Sequence, residues 1–466
     1  MEIRRQIVSA GFGVLSAFLA AAQTPPRIFP FAMEGENLPN VWELAAKREP
    51  AGAGGFLAAR GHDFVDGSGR PRRFFGVNLY GPAALPEKAD APAMAERIAR
   101  WGVNAVRIFP QYAWQLRKDK DFSKGIDPDL LDRFDWLFFQ LKRRGVHADV
   151  NLHSARTAGY RFKAFKQTVK ENKGLDNFDP TFILHQKEFI RTILSHVNPY
   201  TGLAYNDDPA VMSWEINNEC SLASSWFWGN LKSNKLTPYF RTELLRQFNE
   251  WLRTKYATTE ELRKAWRVSA PLEPGESLED GTVGFGEAPR SAARAHDVSM
   301  FILDVENRYW KEMYGFVKRE MKAKAPVNCG TADYGALYPM AYGDFTDDHV
   351  YFGGLASFPG RKWDFSNWCC NNHSMVRAFA CSQAMQRMCE NRVAGKPFTV
   401  SEANVMAQRR PRRRNASRSC CQSRRSRTWR RSTPTRGATS PTIRTEAGSF
   451  STCAATRSTW RTCRLR

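Results

Sequence analysis

Several apolar segments of this 466-residue chain run directly into acidic, amide or basic side chains. One is SWEINNEC, Ser213 to Cys220, which follows the apolar residues AVM. Burying an unpaired carboxylate costs several kcal/mol, so such a strand is expected to emerge into a solvated site. The side chains at comparable positions are Arg107, His153, Asn218, Glu219, His349, Tyr351 and Glu402.

Two of these residues, Glu219 and Glu402, lie on segments far apart in sequence. Two such carboxylates can face each other across the mouth of a barrel, and this arrangement suits glycoside hydrolysis. Retaining enzymes hold the two carboxyl groups about 5 to 5.5 Å apart, one as nucleophile and the other as acid and then base. Glu215 is also in the motif, but strand alternation and its position before the strand exit favour Glu219.

Short apolar segments alternate with amphipathic helical patterns through most of the chain. The predicted strands are 74–79, 105–109, 146–153, 210–216, 326–330, 348–352 and 397–402, and the predicted helices are 92–102, 127–145, 182–197, 299–324 and 374–395. Such alternation predicts parallel β/α units. Because no Gly-rich phosphate turn follows the first strand, a (β/α)8 TIM barrel is favoured over a doubly wound sheet. Only seven strands are found, so a proper eighth β/α unit is expected to be missing.

Two further segments surround or interrupt the barrel, which is predicted over 74–408. Within the N-terminal segment 23–73 and just beyond it, FVDGSGRPRRFF indicates a β-hairpin that plugs the bottom of the barrel. An insertion at about 220–295 is too long for an ordinary barrel connection and is expected to form a subdomain over the site. Its Trp226 and Trp228 are either core aromatics or a platform on which a sugar ring stacks.

The motifs together resemble those of clan A glycoside hydrolases. The segments are SWEINNE, FTVSE, DHVYF, NAVRIF and VNLH, and they occur in the order found in that clan. The pattern is most similar to family 5, the cellulase and mannanase family, over about residues 60 to 405. The segment FNEWLRTKYATTEELRKAW also resembles an insertion of family 42 β-galactosidases in the same clan.

The resemblance implies a role for each candidate residue. Glu219 would be the general acid/base, Glu402 the nucleophile, and Asn218 the partner of the sugar 2-hydroxyl. Arg107 and Tyr351 would bond to Glu402 and keep it ionised, and His153 and His349 would line the donor sugar site. Without the resemblance, Arg107 is equally well explained as an ion pair of the barrel interior, and His153 as a core histidine.

The function implied is a retaining β-glycosidase acting on a glucan, mannan or galactoside. Neither a cofactor nor a metal is expected, and the partner is an oligo- or polysaccharide. One alternative is a barrel that binds carbohydrate without turnover. Another is nucleic-acid binding through the basic C-terminal segment, which would depend strongly on salt.

The first 22 residues read as a secretory signal peptide. MEIRR is basic, IVSAGFGVLSAFLAAA is apolar, and Ala20 to Ala22 before Gln23 fit the small-residue cleavage rule. A single membrane anchor is the alternative, although the apolar run is barely long enough to span a bilayer. A secreted or periplasmic protein without membrane attachment after cleavage is therefore expected.

The segment 409–466 differs from the rest of the chain. It holds 17 of the 69 basic residues, all of them Arg, with one Glu and no Asp, and so supplies most of the formal charge of +22. Because it shows no apolar period, no strand or amphipathic helix is expected in it. We interpret it as an out-of-frame translation, so that the chain as written is expected to fold poorly or to lack activity. Another reading frame from near Gln408 should then encode an apolar strand, a Trp and an amphipathic helix.

Four of the ten cysteines also fall in that segment. The others are Cys220, Cys329, Cys369, Cys370, Cys381 and Cys389. An exported protein permits disulfides, but a core of this size does not require them. The cluster that His373 forms with the last four of these cysteines matches no common zinc spacing, so no metal site is expected there.

Overall fold

The structure is a computed structural model. It describes residues 48–116, 125–153, 174–227, 229, 236–267, 272–286, 291–330, 337–352, 355–357, 368–370, 390–405 and 452–454. The predicted signal peptide, Trp228, most of the helix predicted over 374–395 and most of segment 409–466 lie outside the described residues. Among the described residues, no helix is long and apolar enough to cross a membrane.

The strands follow the predicted positions closely. In chain order they are β1 (Ala58–Arg60), β2 (Asp63–Val65), β3 (Pro71–Arg72), β4 (Phe75–Leu79), β5 (Ala105–Ile108), β6 (His147–Asn151), β7 (Val197–Asn198), β8 (Leu203–Ala204), β9 (Val211–Glu215), β10 (Val327–Asn328), β11 (Thr346–Phe352), β12 (Leu355–Ser357), β13 (Trp368–Cys370), β14 (Phe398–Val405) and β15 (Thr452–Ala454). The seven predicted strands correspond to β4, β5, β6, β9, β10, β11 and β14.

The helices occupy the intervals between these strands. They are α1 (Ala91–Arg100), α2 (Tyr112–Gln115), α3 (Pro128–Arg143), α4 (Pro180–Ser195), α5 (Leu222–Phe227), α6 (Pro238–Arg253), α7 (Thr259–Trp266), α8 (Ala292–Gly315) and α9 (Leu337–Tyr342). Short 3₁₀ turns lie at Gly81–Ala84, Leu175–Asn177 and Tyr205–Asp207, and α8 continues into a π-helical turn at Phe316–Glu320.

Asp-Pro pairs begin two of the helices that flank the sheet. Asp127 accepts hydrogen bonds from the backbone of Asp129 and Leu130, and Asp179 accepts one from Phe182. In each case a proline follows the capping residue, where its missing N–H costs no helical hydrogen bond. Local sequence alone therefore determines where α3 and α4 begin.

The central sheet is parallel over all seven predicted strands. Its order is β10-β9-β6-β5-β4-β15-β14-β11, and this confirms the parallel β/α class and the barrel order of the strands. The register places Arg107 beside Asp149 and His349 beside Glu402. Polar residues from different strands therefore meet at the same level of the sheet.

After β14 the described residues contain one further strand, and its presence contradicts one detail of the prediction. Residues Thr452–Ala454 form β15, which runs antiparallel between β14 and β4, whereas no strand was expected after residue 409. Three residues can satisfy backbone groups of both neighbours whatever their side chains, which explains why the apolar pattern missed them. Within the described residues β10 and β11 are not paired, so the sheet is not closed there.

The predicted hairpin is present at the amino ends of the barrel strands. Strands β2 and β3 pair antiparallel, and β1 adds a third strand. Phe64 and Phe74 of this region pack with Ala105, Met212 and Phe345, which lie at or just before the beginnings of β5, β9 and β11. Apolar contacts therefore hold the hairpin against the bottom of the sheet, as predicted.

The insertion after β9 is helical and has an apolar cluster of its own. Helices α6 and α7 bury residues such as Phe248 and Trp266, which belong to the same cluster as Phe301 and Val305 of α8. Phe178, from the segment that follows β6, joins the same cluster. The insertion is thus tied to the connection that leads into α4 as well as to α8.

Candidate active site

Arg107 connects three candidate residues from inside the barrel. Its side chain is 2% exposed, its Nη1 lies 2.7 Å from Oε1 of Glu402, and its Nη2 lies 2.7 Å from Oδ1 of Asn218. Its Nε also donates to Oε2 of Glu215, at 2.6 Å. The planar guanidinium group makes these contacts together, as a single ammonium group could not.

Glu215 is a buried partner of this arginine and does not face solvent. Its side chain is 2% exposed, and it lies one alternation step before the strand exit. An unpaired charge at such a depth would be strongly unfavourable, so Arg107 and Glu215 depend on one another. The preference for Glu219 over Glu215 agrees with this placement.

His349 lies between the two candidate catalytic carboxylates. Its Nδ1 is 2.7 Å from Oε1 of Glu219 and 3.6 Å from Oε2 of Glu402. Burial disfavours its charged form, but the negative charges of Glu402 and Glu219 outweigh burial and raise the pKa of His349 to about 9. The imidazole of His349 is therefore protonated on both nitrogens, and positively charged, at neutral pH.

The other ring nitrogen of His349 has a defined role. Its Nε2 lies 2.9 Å from Oγ of Ser401, and the hydroxyl of Ser401 donates to Oδ2 of Asp347. Because that hydroxyl proton is committed to Asp347, Nε2 must be the donor to Ser401. The proton on Nδ1 is then the one that His349 shares with Glu219.

The separation of the two glutamates is short. One carboxylate oxygen of Glu219, a ring nitrogen of His349 and one carboxylate oxygen of Glu402 all lie within 4.8 Å of one another. Retaining glycosidases hold their carboxyl groups about 5 to 5.5 Å apart, and inverting enzymes about 6.5 to 9.5 Å apart. Two carboxylate oxygens that approach this closely can both reach a single glycosidic bond.

Glu219 has a strained backbone. Its φ is +46°, a left-handed conformation that a residue with a side chain adopts at a cost of roughly 1–3 kcal/mol. Such strain persists only where surrounding contacts hold it. Asn218 before it is fixed by a 2.8 Å backbone hydrogen bond from its N–H to the carbonyl oxygen of His153.

Two further carboxyl groups, those of Asp149 and Asp347, lie near the arginine and the histidine. Burial, followed by the charge of Glu215, raises the pKa of Asp149 to about 7. Burial also raises the pKa of Asp347 to about 6, although His349 opposes the shift. Both groups therefore titrate near neutral pH and not near pH 4.

His153 is placed differently from His349. Its Nε2 lies 3.1 Å from Oδ2 of Asp176, which follows β6 in the turn Leu175–Asn177. The side chain is 13% exposed, so a face of the ring remains accessible. The structure thus joins His153 to a second carboxylate, whereas Arg107, Asn218, Glu219, His349 and Glu402 form one connected group.

The remaining candidate residues have different outcomes. Trp226 lies in α5, and its ring packs edge-on against Phe285 of the insertion, with 4.8 Å between the ring centres. Tyr351 lies in β11, where its backbone pairs with Asn404. Trp228 is outside the described residues. The bond of Tyr351 to Glu402 and the sugar-stacking roles of Trp226 and Trp228 stay predictions.

Sequence reasoning missed the buried residues that support this group. They are Asp176, Asn217, Asp347 and Ser401, together with the partly buried Asp149, and each hydrogen-bonds to, or lies beside, a candidate residue. Strand alternation could have indicated Asp149 and Asp347, since each lies two residues before a candidate or strand-end residue. No pattern in the sequence indicates Asp176, which lies in an irregular connection.

The cluster of Glu219, His349 and Glu402 has the donor types of a metal site. His349 must lose its Nδ1 proton before it can bind a metal through that atom, and its pKa of about 9 opposes this loss. Glu402 is also already bonded to Arg107. The negative charges of Glu219 and Glu402 are therefore balanced by two cations of the protein, Arg107 and the protonated His349.

Comparisons with known proteins point in the same direction as the motifs. The family model described as "GH family 5 beta-mannosidase-like" matches residues 161–264. Mannan endo-1,4-beta-mannosidase 4 of Oryza sativa subsp. japonica is 27% identical over 194 residues, which is 39% of this chain and 41% of that protein. Mannan endo-1,4-beta-mannosidase 8 of the same organism is 26% identical over 163 residues, or 33% of this chain and 44% of that protein.

The match therefore spans less than half the length of these curated relatives. Among solved structures, the endo-1,4-beta-mannanase from Rhizomucor miehei is 16% identical, with a TM-score of 0.41 over 74% of this chain and 81% of that one. The chain is related to the clan A glycoside hydrolases. Within that clan its resemblance is to family 5, which confirms the recognition from motifs, while the likeness of the insertion to family 42 stays a prediction.

Proposed function

We propose that this protein is an O-glycosyl hydrolase that cleaves β-linked mannan with retention of anomeric configuration. The observation that carries the proposal is the close approach of Glu219 and Glu402, with one atom of each within 4.8 Å of the other. The named relatives, which are mannan endo-1,4-beta-mannosidases, support mannan over glucan or galactoside and internal over terminal cleavage.

In the proposed reaction Glu402 attacks the anomeric carbon and the glycosidic oxygen leaves. Arg107 donates to Oε1 of Glu402, and its positive charge favours the ionised form of the nucleophile. Glu219 passes the proton that it shares with Nδ1 of His349 to the leaving oxygen, and the imidazole becomes neutral. The charge of Glu402 is then consumed by the new covalent bond.

The second step uses the same residues in reverse. Once the glycosyl-enzyme has formed, Glu219 is ionised and takes a proton from water, which attacks the anomeric carbon from the same face that the leaving group left. In this scheme Asn218, whose Oδ1 accepts a hydrogen bond from Arg107, holds the 2-hydroxyl of the sugar. The two displacements together retain the configuration.

The test is product analysis on defined substrates. The full chain, and a version in which the segment after Gln408 is translated in its alternative frame, are incubated with β-1,4-manno-oligosaccharides, cello-oligosaccharides and β-galactosides. Proton NMR at early times reports the first anomer released. Retained β-anomer from mannan supports the proposal, whereas inverted product, or binding without any release of reducing sugar from either version, overturns it.

We also propose that the protein is exported after cleavage behind Ala22. The basic start and the apolar run of residues 1–22 support this, as does a polymeric substrate that cannot enter a cell. Amino-terminal sequencing of protein from an export-competent host should begin at Gln23. An intact Met1 on membrane-bound protein would instead support an anchor.

A further inference from the structure

A single buried carboxylate holds both sides of the Asn218-Glu219 pair. Oδ2 of Asp176 accepts a hydrogen bond from Nδ2 of Asn217 at 2.8 Å, and Oδ1 accepts one from Sγ of Cys220 at 2.8 Å. Asn217 and Cys220 are the residues that flank the pair. Asp176 thus bridges the turn that carries Glu219.

The backbone of Asp176 is tied to the neighbouring helices. Gln186 of α4 donates from Nε2 to the backbone oxygen of Asp176 at 3.0 Å, and its Oε1 accepts from the hydroxyl of Tyr309 at 2.6 Å. That hydroxyl lies 3.0 Å from Nδ2 of Asn217. A closed ring of hydrogen bonds therefore joins the Glu219 turn to both α4 and α8.

The surroundings of Asp176 favour its ionised form. Burial opposes ionisation, but hydrogen bonds and the charge from His153, with further bonds from Cys220 and Asn217, hold its pKa below the ordinary value. The turn also packs closely on the chain after Glu219. A Cβ at Gly174, whose φ is +99°, would lie 3.1 Å from Cα of Leu222.

We propose that Asp176 is a positioning residue that holds the strained turn of Glu219 in the orientation needed for proton transfer to the leaving group. This inference rests on the proposed function, because it assigns the general-acid step to Glu219. Asp176 does not touch the reacting atoms in this scheme. It acts through Asn217 and Cys220, and it orients His153 at the same time.

A positioning role for Asp176 predicts different losses on substrates with poor and with activated leaving groups, whereas a merely structural role would lower the rate on both equally. Glu219 has a φ of +46°, so the turn is expected to relax when its two side contacts are lost. Relaxation displaces the acid/base and leaves Glu402, which is held by Arg107 from another strand, in place. Substrates that need protonation of the leaving group should therefore suffer most.

The experiment compares Asp176→Asn with Asp135→Asn in the full chain. Asp135 is a matched control, since it is also buried and accepts hydrogen bonds from a histidine and a tyrosine, His196 and Tyr205. For Asp176→Asn we expect kcat to fall by about 10²-fold on a mannoside with a poor leaving group and by under about 3-fold on a dinitrophenyl mannoside. For Asp135→Asn the two substrates should change by the same factor.

A second pair of variants tests the hydrogen bond between Cys220 and Asp176 by changing Cys220. Cys220→Ser keeps a donor toward Asp176, whereas Cys220→Ala removes it. Hydrogen exchange of the segment 216–224, followed by mass spectrometry, gives a readout that needs no activity. Exchange there should rise by about tenfold or more in Asp176→Asn and Cys220→Ala, while Cys220→Ser and Asp135→Asn stay near the parent.

The outcomes separate this inference from the proposed function. If neither the full chain nor its alternative-frame version releases product but exchange in 216–224 rises as stated, the proposed function fails and the contacts of Asp176 stand. If the parent is active and Asp176→Asn lowers kcat equally for both substrates, or leaves exchange unchanged, the positioning role is overturned and the function stands. Equal effects of Asp176→Asn and Asp135→Asn in 216–224 would also overturn it.

Discussion

The Nδ1 atom of His349 lies 2.7 Å from Oε1 of Glu219, so one proton is shared between an imidazole and the candidate acid/base. Because Nε2 donates to Ser401, the shared proton is the one on Nδ1. The charges of Glu402 and Glu219 outweigh burial and raise the pKa of His349 to about 9, so the imidazole holds this proton through neutral pH. In the proposed reaction, the proton that leaves with the aglycone comes from this pair.

The first prediction concerns the alkaline limb of the pH profile. His349→Asn removes the group whose pKa is raised to about 9, so the remaining Glu219 alone must hold the catalytic proton. We expect the alkaline limb of kcat/KM to move to lower pH by at least about one unit. His185→Asn is the control, because His185 is 43% exposed and lies on the surface of α4. A limb that stays in place would mean that Glu219 holds its proton without the imidazole.

The second prediction is a dependence of stability on pH. The folded pKa of His349 is raised from 6.5 to about 9, so its stabilising contribution is fully present below pH 6.5 and is lost as the pH rises through about 9. The Tm difference between the parent and His349→Gln should therefore be largest near pH 6 and shrink toward pH 10. Calorimetry across this range measures it, and a difference that grows with pH would contradict the assignment.

The third prediction separates the roles of the two glutamates. Glu402→Gln should abolish turnover of every substrate, since each one needs the nucleophile. Glu219→Ala should lose about 10²–10⁴-fold on poor leaving groups but retain activity on dinitrophenyl mannoside, with partial rescue by azide. Steady-state rates with and without azide provide the measurement. Equal losses on both substrate types in Glu219→Ala would exclude the acid/base role.

The sequence predicted the strands and the residues at their ends more fully than it predicted the contacts around them. The convergence of strand ends in a parallel barrel made it possible to predict Arg107, Asn218, Glu219, His349 and Glu402 as site residues. Asp176 could not be predicted, because its turn has no periodicity and its partners come from separate parts of the chain. Likewise β15 could not be predicted, since backbone pairing of three residues leaves no apolar pattern.

The fourth prediction concerns Arg107. Lysine keeps the charge but cannot bond Glu215, Glu402 and Asn218 at once, so Arg107→Lys should lower kcat by about 100-fold or more. Arg107→Met leaves Glu215 buried without its partner and should cost about 3–5 kcal/mol of unfolding free energy. Urea unfolding gives the second value. The control is Arg100→Lys, whose pair with Glu96 is partly exposed and should cost less than about 1 kcal/mol.

The last prediction concerns Gly330, which lies close to the backbone of Asn217, just before the turn that carries Glu219. A Cβ at Gly330 would lie 1.8 Å from the backbone oxygen of Asn217, and the φ of Gly330 is +105°. Gly330→Ala must therefore displace either β10 or the segment that leads to Asn218 and Glu219.

The matched control is Gly202→Ala, because Gly202 also has a positive φ, of +68°, but a Cβ there would meet nothing within 4 Å. Gly202→Ala should cost about 1 kcal/mol for the backbone conformation alone, and Gly330→Ala more than about 3 kcal/mol because the clash is added. Activity should fall with stability only in Gly330→Ala, since Asn217 links that site to Asp176 and to the turn of Glu219. Equal unfolding free energies for the two variants would show that the close approach of Gly330 to Asn217 is absent in solution.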